Sequence, residues 1–502
     1  MERARLILAE LLALKRTGDA GLVGQLTHQL RALMADGRIR SGAVLPSSRS
    51  LSAELDVSRN TVTHAYEQLA AEGYLRVAAR RRPVVADDIG ERFAKAASKA
   101  ASKAASKADP APRREAVRKP SLSPWALRLS DTDWPLSYQA DFRPLRPGLA
   151  DAREFPHEIW ARCLRRSALR RRFNEQTVIN RPSLREALRD YLEVNRGVRA
   201  EADQILILPT AQAALTLIAA TAIVPGDAAW TEDPGYPGAA AAFRAAGANV
   251  VGVRLDNCGM IRMREARPPK LIFTTPSHQH PTGRVMPVAR RTELLAAAES
   301  GKTWIVEDDY DGEFHYDSRP MPALQGLDRE GRVLYVGTFA KAMTADIRLG
   351  YLVVPASLAR TMEIAQRHLG LIASVHVQEA LASFMTDGHF LAHIRRTRRI
   401  YRSRRDHLAS ALTRHLSEVL VAEVPPGGMQ LVARLKHGTA DRDVVSRLGA
   451  AGVEVRALSS LAVERPRDHG LLLGFAAWRE AEIGAAVRIM ASALAGKRAI
   501  RG

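Results

Sequence analysis

Downstream of residue 200, four clusters of polar residues each follow a short apolar run. They are Thr210 after residues 205–208, TTPSHQHPTG after 271–273, EDDYD after 303–306 and GTFAK after 333–336. Continuous apolar runs are typical of strands that are buried on both faces of a parallel sheet. Since ligands bind at the carboxyl ends of such strands, we expect the four clusters to converge at one edge.

The residue types in these clusters suit a pyridine aldehyde that carries a phosphate group. Lys341, in GTFAK, could form a Schiff base, an internal aldimine, with the aldehyde. A carboxylate of EDDYD could pair with the ring nitrogen and keep it protonated, so that the ring accepts electrons. Tyr310 could donate a hydrogen bond to the phenolate oxygen, and Tyr236, in EDPGYP, could cover the ring face.

A second group of residues suits the phosphate. Thr338 and Arg348 offer a hydroxyl and a guanidinium, and the backbone N–H groups of Ala211 and Gln212 lie at a predicted helix start, where anions bind. Each residue also has a simpler interpretation, because a single polar side chain in a loop is usually only exposed surface. The carboxylates of EDDYD alone could equally bind magnesium or water. The expected convergence favours the cofactor.

The composition of the chain indicates two parts and an anionic partner. The 502 residues are 46% hydrophobic and carry a formal charge of +20, which favours nucleic acid or an anionic cofactor. Between residues 93 and 120 the sequence repeats Ala-Ala-Ser-Lys and ends in prolines, as a linker does. Cys163 and Cys258 are too isolated for a disulfide framework or metal site, and no stretch predicts a membrane span. We therefore expect a cytoplasmic protein.

The segment before the linker has the pattern of three helices. Apolar residues recur at helical spacing from Leu22 to Met34, and a short second helix starts near Ser47. A third helix begins at Ser58 and ends before Gly73, and its polar face carries Arg59, Asn60, Thr63 and His64. Such an opening turn suits the major groove of DNA, because arginine pairs with guanine and asparagine with adenine. A solvated polar face is the alternative.

The run LPSSRSLSAELDVSRNTVTHAYEQLAAEGYL resembles the GntR-type winged helix-turn-helix. The resemblance implies that double-stranded DNA is contacted by residues of the PSSR run and of the third helix, namely Arg49, Arg59, Asn60, Thr61 and Thr63. Relatives usually carry a Gly-rich hairpin next, where this chain has RVAARRRPVV. Phosphate contacts from this wing are expected from Arg80, Arg81 and Arg82.

The order EDPGY, TPSHQHPTG, EDDYDGEF, GTFAK and RLGY resembles the fold-type I aminotransferases, and in particular the MocR-type regulators. The implied fold is an α/β domain with a mixed, mostly parallel sheet, helices on both faces and a small C-terminal α/β subdomain. The implied cofactor is pyridoxal 5′-phosphate. By resemblance, its ligands are Lys341 for the Schiff base, Asp308 for the ring nitrogen, Tyr310 for the phenolate oxygen, Tyr236 for the ring face and Arg348 for the phosphate.

The chain departs from the aminotransferase pattern in three places. His280 stands where an asparagine usually contacts the ring, so this contact is an open question. Thr210 and Ala211 replace the usual glycine and serine near the phosphate. Leu472, in LLLGFAAW, stands where the arginine that binds the substrate carboxylate usually lies.

The predicted organisation is an N-terminal helical extension (1–20), a winged helix-turn-helix (21–88), a linker (89–135) and an aminotransferase-like domain (136–502). We interpret the basic run from Ile394, IRRTRRIYRSRRDHL, as an exposed or dimer-facing helix rather than a second DNA surface.

The sequence predicts a transcription regulator that senses a small amine, amino compound or vitamin B6. Relatives imply a head-to-tail homodimer, and the missing arginine predicts weak or absent transaminase activity. A working transaminase with an accessory DNA-binding module is the alternative. A further possibility is that the cofactor is itself the signal.

Overall fold

The computed structural model describes residues 8, 11–14, 21–36, 38–77, 82–86, 122–130, 142–170, 178–261, 267–317, 321–436, 438–464, 466 and 468–495. The chain divides into two compact units, Met1–Lys119 and Pro120–Gly502. Among the described residues, no helix is long and apolar enough to cross a membrane.

In its described residues, the smaller unit has three named helices and a two-stranded antiparallel sheet. The helices are α1 (Leu22–Ala35), α2 (Ser48–Glu54) and α3 (Arg59–Ala71), and the strands are β1 (Leu75–Arg76) and β2 (Val84–Val85). Leu26 and Leu30 of α1 and Val62 and Leu69 of α3 are fully buried, because each helix turns its apolar stripe towards the other. The predicted three-helix order is confirmed.

The predicted N-terminal extension (1–20) lies largely outside the described residues, as do residues 78–81 of the predicted wing. Leu8 and Leu12, which are described, pack into the core of the smaller unit.

The larger unit is built on an eight-stranded sheet with the order β3-β10-β9-β8-β7-β4-β5-β6. Its strands are β3 (Ile205–Leu208), β4 (Ala228–Asp233), β5 (Asn249–Asp256), β6 (Gly259–Met260), β7 (Leu271–Thr274), β8 (Trp304–Asp309), β9 (Val333–Thr338) and β10 (Gly350–Val353). β4, β5, β7, β8 and β9 pair in parallel. β10 is antiparallel to both β9 and β3, so β3 runs in the same direction as β9.

This sheet is buried on both faces, as its apolar strands predicted. Ile205 and Ile207 of β3 point into one hydrophobic cluster, whereas Leu206 and Leu208 point into another. The α-helices of the larger unit are α4 (Pro124–Ser130), α5 (His157–Leu169), α6 (Pro182–Arg196), α7 (Ala211–Ala222), α8 (Pro237–Ala245), α9 (Val288–Gly301), α10 (Leu324–Leu327), α11 (Phe339–Ala342), α12 (Ala356–His368), α13 (Val375–Thr386), α14 (His389–Leu416), α15 (Asp441–Ala450) and α16 (Glu480–Ala495).

The C-terminal part forms a separate antiparallel sheet with the order β11-β12-β14-β13. Its strands are β11 (Leu420–Glu423), β12 (Gln430–Leu435), β13 (Arg456–Ala457) and β14 (Gly470–Gly474). With α15 and α16 this small sheet makes up the α/β subdomain that the resemblance implied, and the predicted fold class is confirmed.

Two elements differ from the sequence-based expectation. Helix α4 lies inside the stretch 89–135 predicted as a linker, and it packs on α8, where Arg128 donates to the Ala245 carbonyl at 2.8 Å. The basic helix α14 is not simply exposed: Tyr401 is buried, and Arg404 and Arg405 are buried in ion pairs. Apolar residues at helical spacing place one face of α14 in the core, and acidic partners neutralise the arginines that this face carries.

A buried ion pair joins α6 to the end of β8. The Arg196 Nε lies 2.6 Å from an Asp309 carboxylate oxygen, and an Arg196 Nη donates to the Ser277 hydroxyl at 2.7 Å. Both charged side chains are almost fully buried. Removing one partner of such a pair leaves an uncompensated charge in the interior, which is strongly destabilising.

We therefore expect Arg196→Met to lower the stability of the larger unit by about 3–5 kcal/mol. Calorimetric unfolding of the full chain measures this loss. Arg189→Met is the matched control, because Arg189 lies on the same helix with an exposed side chain paired only to Asp190. An equal effect of the two substitutions would contradict the prediction.

Candidate functional site

The carboxyl-terminal edge of the eight-stranded sheet brings the predicted clusters together. Asp308 lies at the end of β8, and Thr338 ends the neighbouring β9 and caps α11, which carries Lys341. His280 and Tyr236 lie in the segments that follow β7 and β4. All these strands point the same way, so the residues that follow them face one space.

Lys341 is held by a loop that the sequence analysis did not single out. Its Nζ donates to the Gly148 carbonyl, and Gly148 has a φ of +78°, which favours glycine. Burial lowers the pKa of Lys341, Asp311 and Asp308 oppose the shift, and Arg456 adds to it. The net lowering favours the neutral amine, the form that attacks an aldehyde.

Asp308 is a buried carboxylate that forms no ion pair with a described residue. Burial, followed by the charges of Asp309 and Asp311, raises its pKa to about 8, and Lys341 only partly offsets this. Its Oδ1 has no hydrogen-bond partner among the residues that the structure describes. The position therefore suits a ligand that brings a positive N–H group, since such a group would stabilise the ionised carboxylate.

His280 stands between two tyrosine rings. Its ring centroid is 5.9 Å from that of Tyr236 and 5.8 Å from that of Tyr310, both edge-on. The Gln430 side-chain N–H group donates to His280 Nδ1 at 3.1 Å, so the ring hydrogen belongs on Nε2. Burial, with the charges of Arg456 and Lys341, lowers the pKa of His280 to about 3, so the ring is neutral.

The His280 Nε2 atom has no partner among the described side chains and backbone groups. The Nε2–H group is thus a buried hydrogen-bond donor. The asparagine that aminotransferases usually have at this position can also donate a hydrogen bond. A chain of hydrogen bonds fixes the histidine: its backbone N–H donates to the Thr275 hydroxyl at 2.8 Å, and that hydroxyl donates to the buried Glu232 at 2.6 Å.

The predicted phosphate residues lie around the start of α7. Thr210 caps this helix by accepting from the Ala213 N–H at 3.0 Å, which leaves Ala211 and Gln212 in the first turn. A Cβ at Gly350 would lie 2.9 Å from the Ala211 nitrogen, so only glycine fits here. Thr338 pairs with Gly350 across the sheet, and the exposed Arg348 precedes it by two residues.

Tyr236 is linked to this helix start. Its hydroxyl donates to the Gln212 side-chain oxygen at 3.4 Å, and the Gln212 amide donates to the Gly238 carbonyl at 3.0 Å. Gln212, in the first turn of α7 where the phosphate is predicted to bind, therefore contacts the segment that carries Tyr236, the predicted stacking ring.

Sequence reasoning missed several residues of this site. Gly148 lies in the RPLRPGLAD loop, where the prolines and glycine were the available signal. Gln430, Asp311 and His278 were also missed, and the last two form a buried pair at 2.8 Å. Leu472, the position of the missing arginine, is buried against Val432 and Leu458.

The predicted DNA-contacting residues lie on the smaller unit. Arg49 is exposed on α2, and Arg59 and Asn60 are exposed at the start of α3. The Ser58 side chain caps α3 by accepting from the Thr61 N–H at 3.1 Å and also contacts the Thr61 hydroxyl, while the Thr63 hydroxyl donates to the Arg59 carbonyl at 2.9 Å. The two threonines are thus already engaged within the helix.

In the predicted wing, Arg82 is exposed just before β2. Arg80 and Arg81 lie outside the described residues.

Comparisons with known proteins match both units. Residues 22–85 match the family "Bacterial regulatory proteins, gntR family", and residues 149–487 match "Aminotransferase class I and II". The chain is 35% identical to the probable rhizopine catabolism regulatory protein MocR of Rhizobium meliloti, over 93% of this chain and 92% of that protein. It is 31% identical to the pyridoxine biosynthesis transcriptional regulator PdxR of Corynebacterium glutamicum, over 96% of this chain and 100% of that protein.

A solved structure gives the same fold for the larger unit. The kynurenine aminotransferase of Pyrococcus horikoshii has a TM-score of 0.66 and 28% identity, covering 72% of this chain and 93% of that chain. The aminotransferase class I and II family depends on pyridoxal phosphate.

The geometry fits this cofactor. Lys341 offers a half-buried amine, and Asp308 Oδ1 and His280 Nε2 offer an acceptor and a donor without partners among the described residues, as a ring N–H and a phenolate oxygen would require. The first turn of α7, packed closely on Gly350, supplies backbone N–H groups of the kind that bind phosphate.

The raised pKa of Asp308 predicts that the substitution Asp308→Asn stabilises the cofactor-free protein but weakens cofactor binding. Its pKa rises from 3.8 to about 8 on folding, so between these values the folded state holds a proton that the unfolded state releases. Stability of the cofactor-free protein therefore falls as pH rises from about 4 to 8. Asp308→Asn should be more stable than wild type at pH 8 by about 2–4 kcal/mol.

The same variant should bind pyridoxal phosphate at least about tenfold more weakly, because a neutral amide cannot pair with a protonated ring nitrogen. Thermal unfolding at pH 5 and pH 8, together with cofactor titration, checks both effects. Asp443→Asn, at an exposed position on α15, is the control. A variant that is less stable than wild type at pH 8 would contradict the assignment.

Proposed function

This chain belongs to the MocR-type regulators, GntR-family transcription regulators with an aminotransferase-like domain, and we propose that it senses a small amine or amino compound through Lys341 and the cofactor. The observation that carries the proposal is the half-buried Lys341 in one site with two polar atoms, Asp308 Oδ1 and His280 Nε2, that have no partner among the described residues. These groups are arranged to hold a charged, hydrogen-bonding ring next to a nucleophilic amine.

Pyridoxal phosphate supplies an aldehyde that exchanges one amine for another and a ring that accepts electrons. In the proposed site, Lys341 would hold the aldehyde end of the cofactor. Asp308 would keep the proton on the ring nitrogen, and His280 and Tyr310 would donate to the phenolate oxygen. Thr338, Arg348 and the N–H groups of α7 would bind the phosphate, and Tyr236 would cover the ring face.

The proposed DNA reader is the start of α3. Arg59 and Asn60 are exposed there and free to reach base edges, while Thr61 and Thr63 stabilise the first turn. We propose that Arg49 and Arg82 contact phosphates of the DNA backbone. Such contacts position the helix without reading the base sequence. We further propose a head-to-tail homodimer that works on double-stranded operator DNA in the cytoplasm.

A working transaminase is the less favoured function because of Leu472. A transaminase must orient its substrate carboxylate over the ring, usually with an arginine fork. Leu472 is buried and apolar, and it offers no such group.

Two substitutions test the DNA reader. Arg59→Ala and Asn60→Ala should each weaken preference for the operator over random DNA by about 1–3 kcal/mol, because each removes a base contact. Competition binding at fixed salt concentration measures this preference. Glu67→Ala, exposed further along α3, is the control, and unchanged preference in both test variants would contradict the role of α3.

A second test separates sensing from DNA binding. Lys341→Ala should lose borohydride fixation of the cofactor and any ligand-dependent change in operator affinity, while basal operator binding persists. Lys270→Ala, at an exposed lysine before β7, is the control. Rapid multiple-turnover transamination by the wild type, with operator binding indifferent to every amine tested, would favour the enzyme instead.

A further inference from the structure

One face of the small C-terminal sheet is turned towards the cofactor site. Gln430 of β12 is paired with Gly474 of β14, and Val432 with Leu472. Paired residues and those two positions apart share a face of a sheet. Gln430 on this face donates to His280, which identifies the face as the one that borders the site.

The loop that holds Lys341 lies against the same face. A Cβ at Gly474 would be 2.2 Å from the Arg146 carbonyl oxygen and 2.7 Å from the Pro147 Cα. The next residue, Gly148, accepts the hydrogen bond from Lys341. The face of the small sheet and the Lys341 amine therefore border one space.

Arg456 of β13 is on this face. It is the cross-strand partner of Leu472, so the two side chains emerge on the same side of the sheet. Arg456 is partly buried, and its guanidinium makes no hydrogen bond or ion pair with the residues that the structure describes. Glu454, two residues before Arg456, is in contact with Arg146 at 3.4 Å and acts on Arg456 only through its charge.

The electrostatics of the site agree with this placement. Burial lowers the pKa of Arg456, and the charge of Arg456 in turn contributes to the lowered pKa values of His280 and Lys341. A partly buried guanidinium without a hydrogen-bonding acceptor costs free energy, and an oxyanion would remove that cost.

We propose that Arg456 binds the acidic group, a carboxylate or sulfonate, of an amine ligand whose amino group is presented to the cofactor at Lys341. The inference rests on the proposed sensing function and names the ligand class. From the adjacent strand, Arg456 thereby takes the role of the arginine that aminotransferases usually carry at the position of Leu472. The backbone of Arg456 lies one strand spacing, about 5 Å, from that of Leu472. The ligand is an amino acid or amino sulfonate bound in a displaced orientation.

Matched pairs of amines test this proposal on the cofactor-loaded full-length protein. The acids alanine, β-alanine and taurine are compared with the neutral amines alaninamide, β-alaninamide and n-propylamine. Binding is followed by calorimetry and by the visible absorbance of the cofactor. At least one acid should bind about ten- to a hundredfold more tightly than its neutral counterpart, as expected for a charge-assisted pair.

Arg456→Leu should abolish this preference, whereas Arg456→Lys should keep part of it. Both should leave n-propylamine binding and cofactor affinity unchanged. Arg434→Leu is the matched control, because Arg434 lies on the same sheet but is paired with Glu423 and Asp468. Arg456→Gln replaces the leucine variant if that protein does not fold.

Equal binding of acids and neutral amines by the wild type would overturn the proposal and leave the sensing function standing. A loss of cofactor affinity in Arg456→Leu would also overturn it, since Arg456 would then be a cofactor ligand. If no amine of either kind bound, the sensing function itself would fail.

Discussion

The alternation of side chains along β8 is the constraint on which the site depends. Successive residues of a strand face opposite sides of the sheet, so the adjacent carboxylates of Asp308 and Asp309 have different surroundings. Asp309 meets Arg196 and the Tyr335 hydroxyl, and although burial raises its pKa, these partners bring it below the ordinary value. Asp308 faces Lys341 without a contacting cation, and its pKa rises. One carboxylate therefore stabilises the fold, and the other remains available to a ligand.

Much of the site could be predicted because each strand and the reactive residues at its end are neighbours in the sequence. The apolar runs of β3, β7, β8 and β9 and the polar clusters after them were recognisable, and parallel strands bring such clusters together. Residues that act across the sheets could not be found this way. Gln430, Gly148 and Arg456 lie far from the clusters in sequence, and only the register of the small sheet and the path of the RPLRPGLAD loop bring them to Lys341.

The differences in the fold have a related origin. Helix α14 was predicted to be exposed or dimer-facing because composition does not reveal that acidic partners distant in sequence, Asp151 and Asp317, neutralise its buried arginines. Similarly, Pro124–Ser130 follows a low-complexity stretch and was grouped with it, although Arg128 finds a carbonyl acceptor on α8. In both cases the residue that buries or anchors the helix is distant in the sequence. The periodicity of a helix does not show such a partner.

The contact between Gln430 and His280 joins the small sheet to the large one, and it has a mechanical consequence. Because the glutamine amide occupies Nδ1, the imidazole is locked in a single tautomer, with its hydrogen on Nε2. A displacement of the small sheet would break that contact and release the ring to exchange tautomers. Nε2 could then accept as well as donate a hydrogen bond, so a shift in position between the two sheets would change the hydrogen-bonding selectivity at the centre of the site.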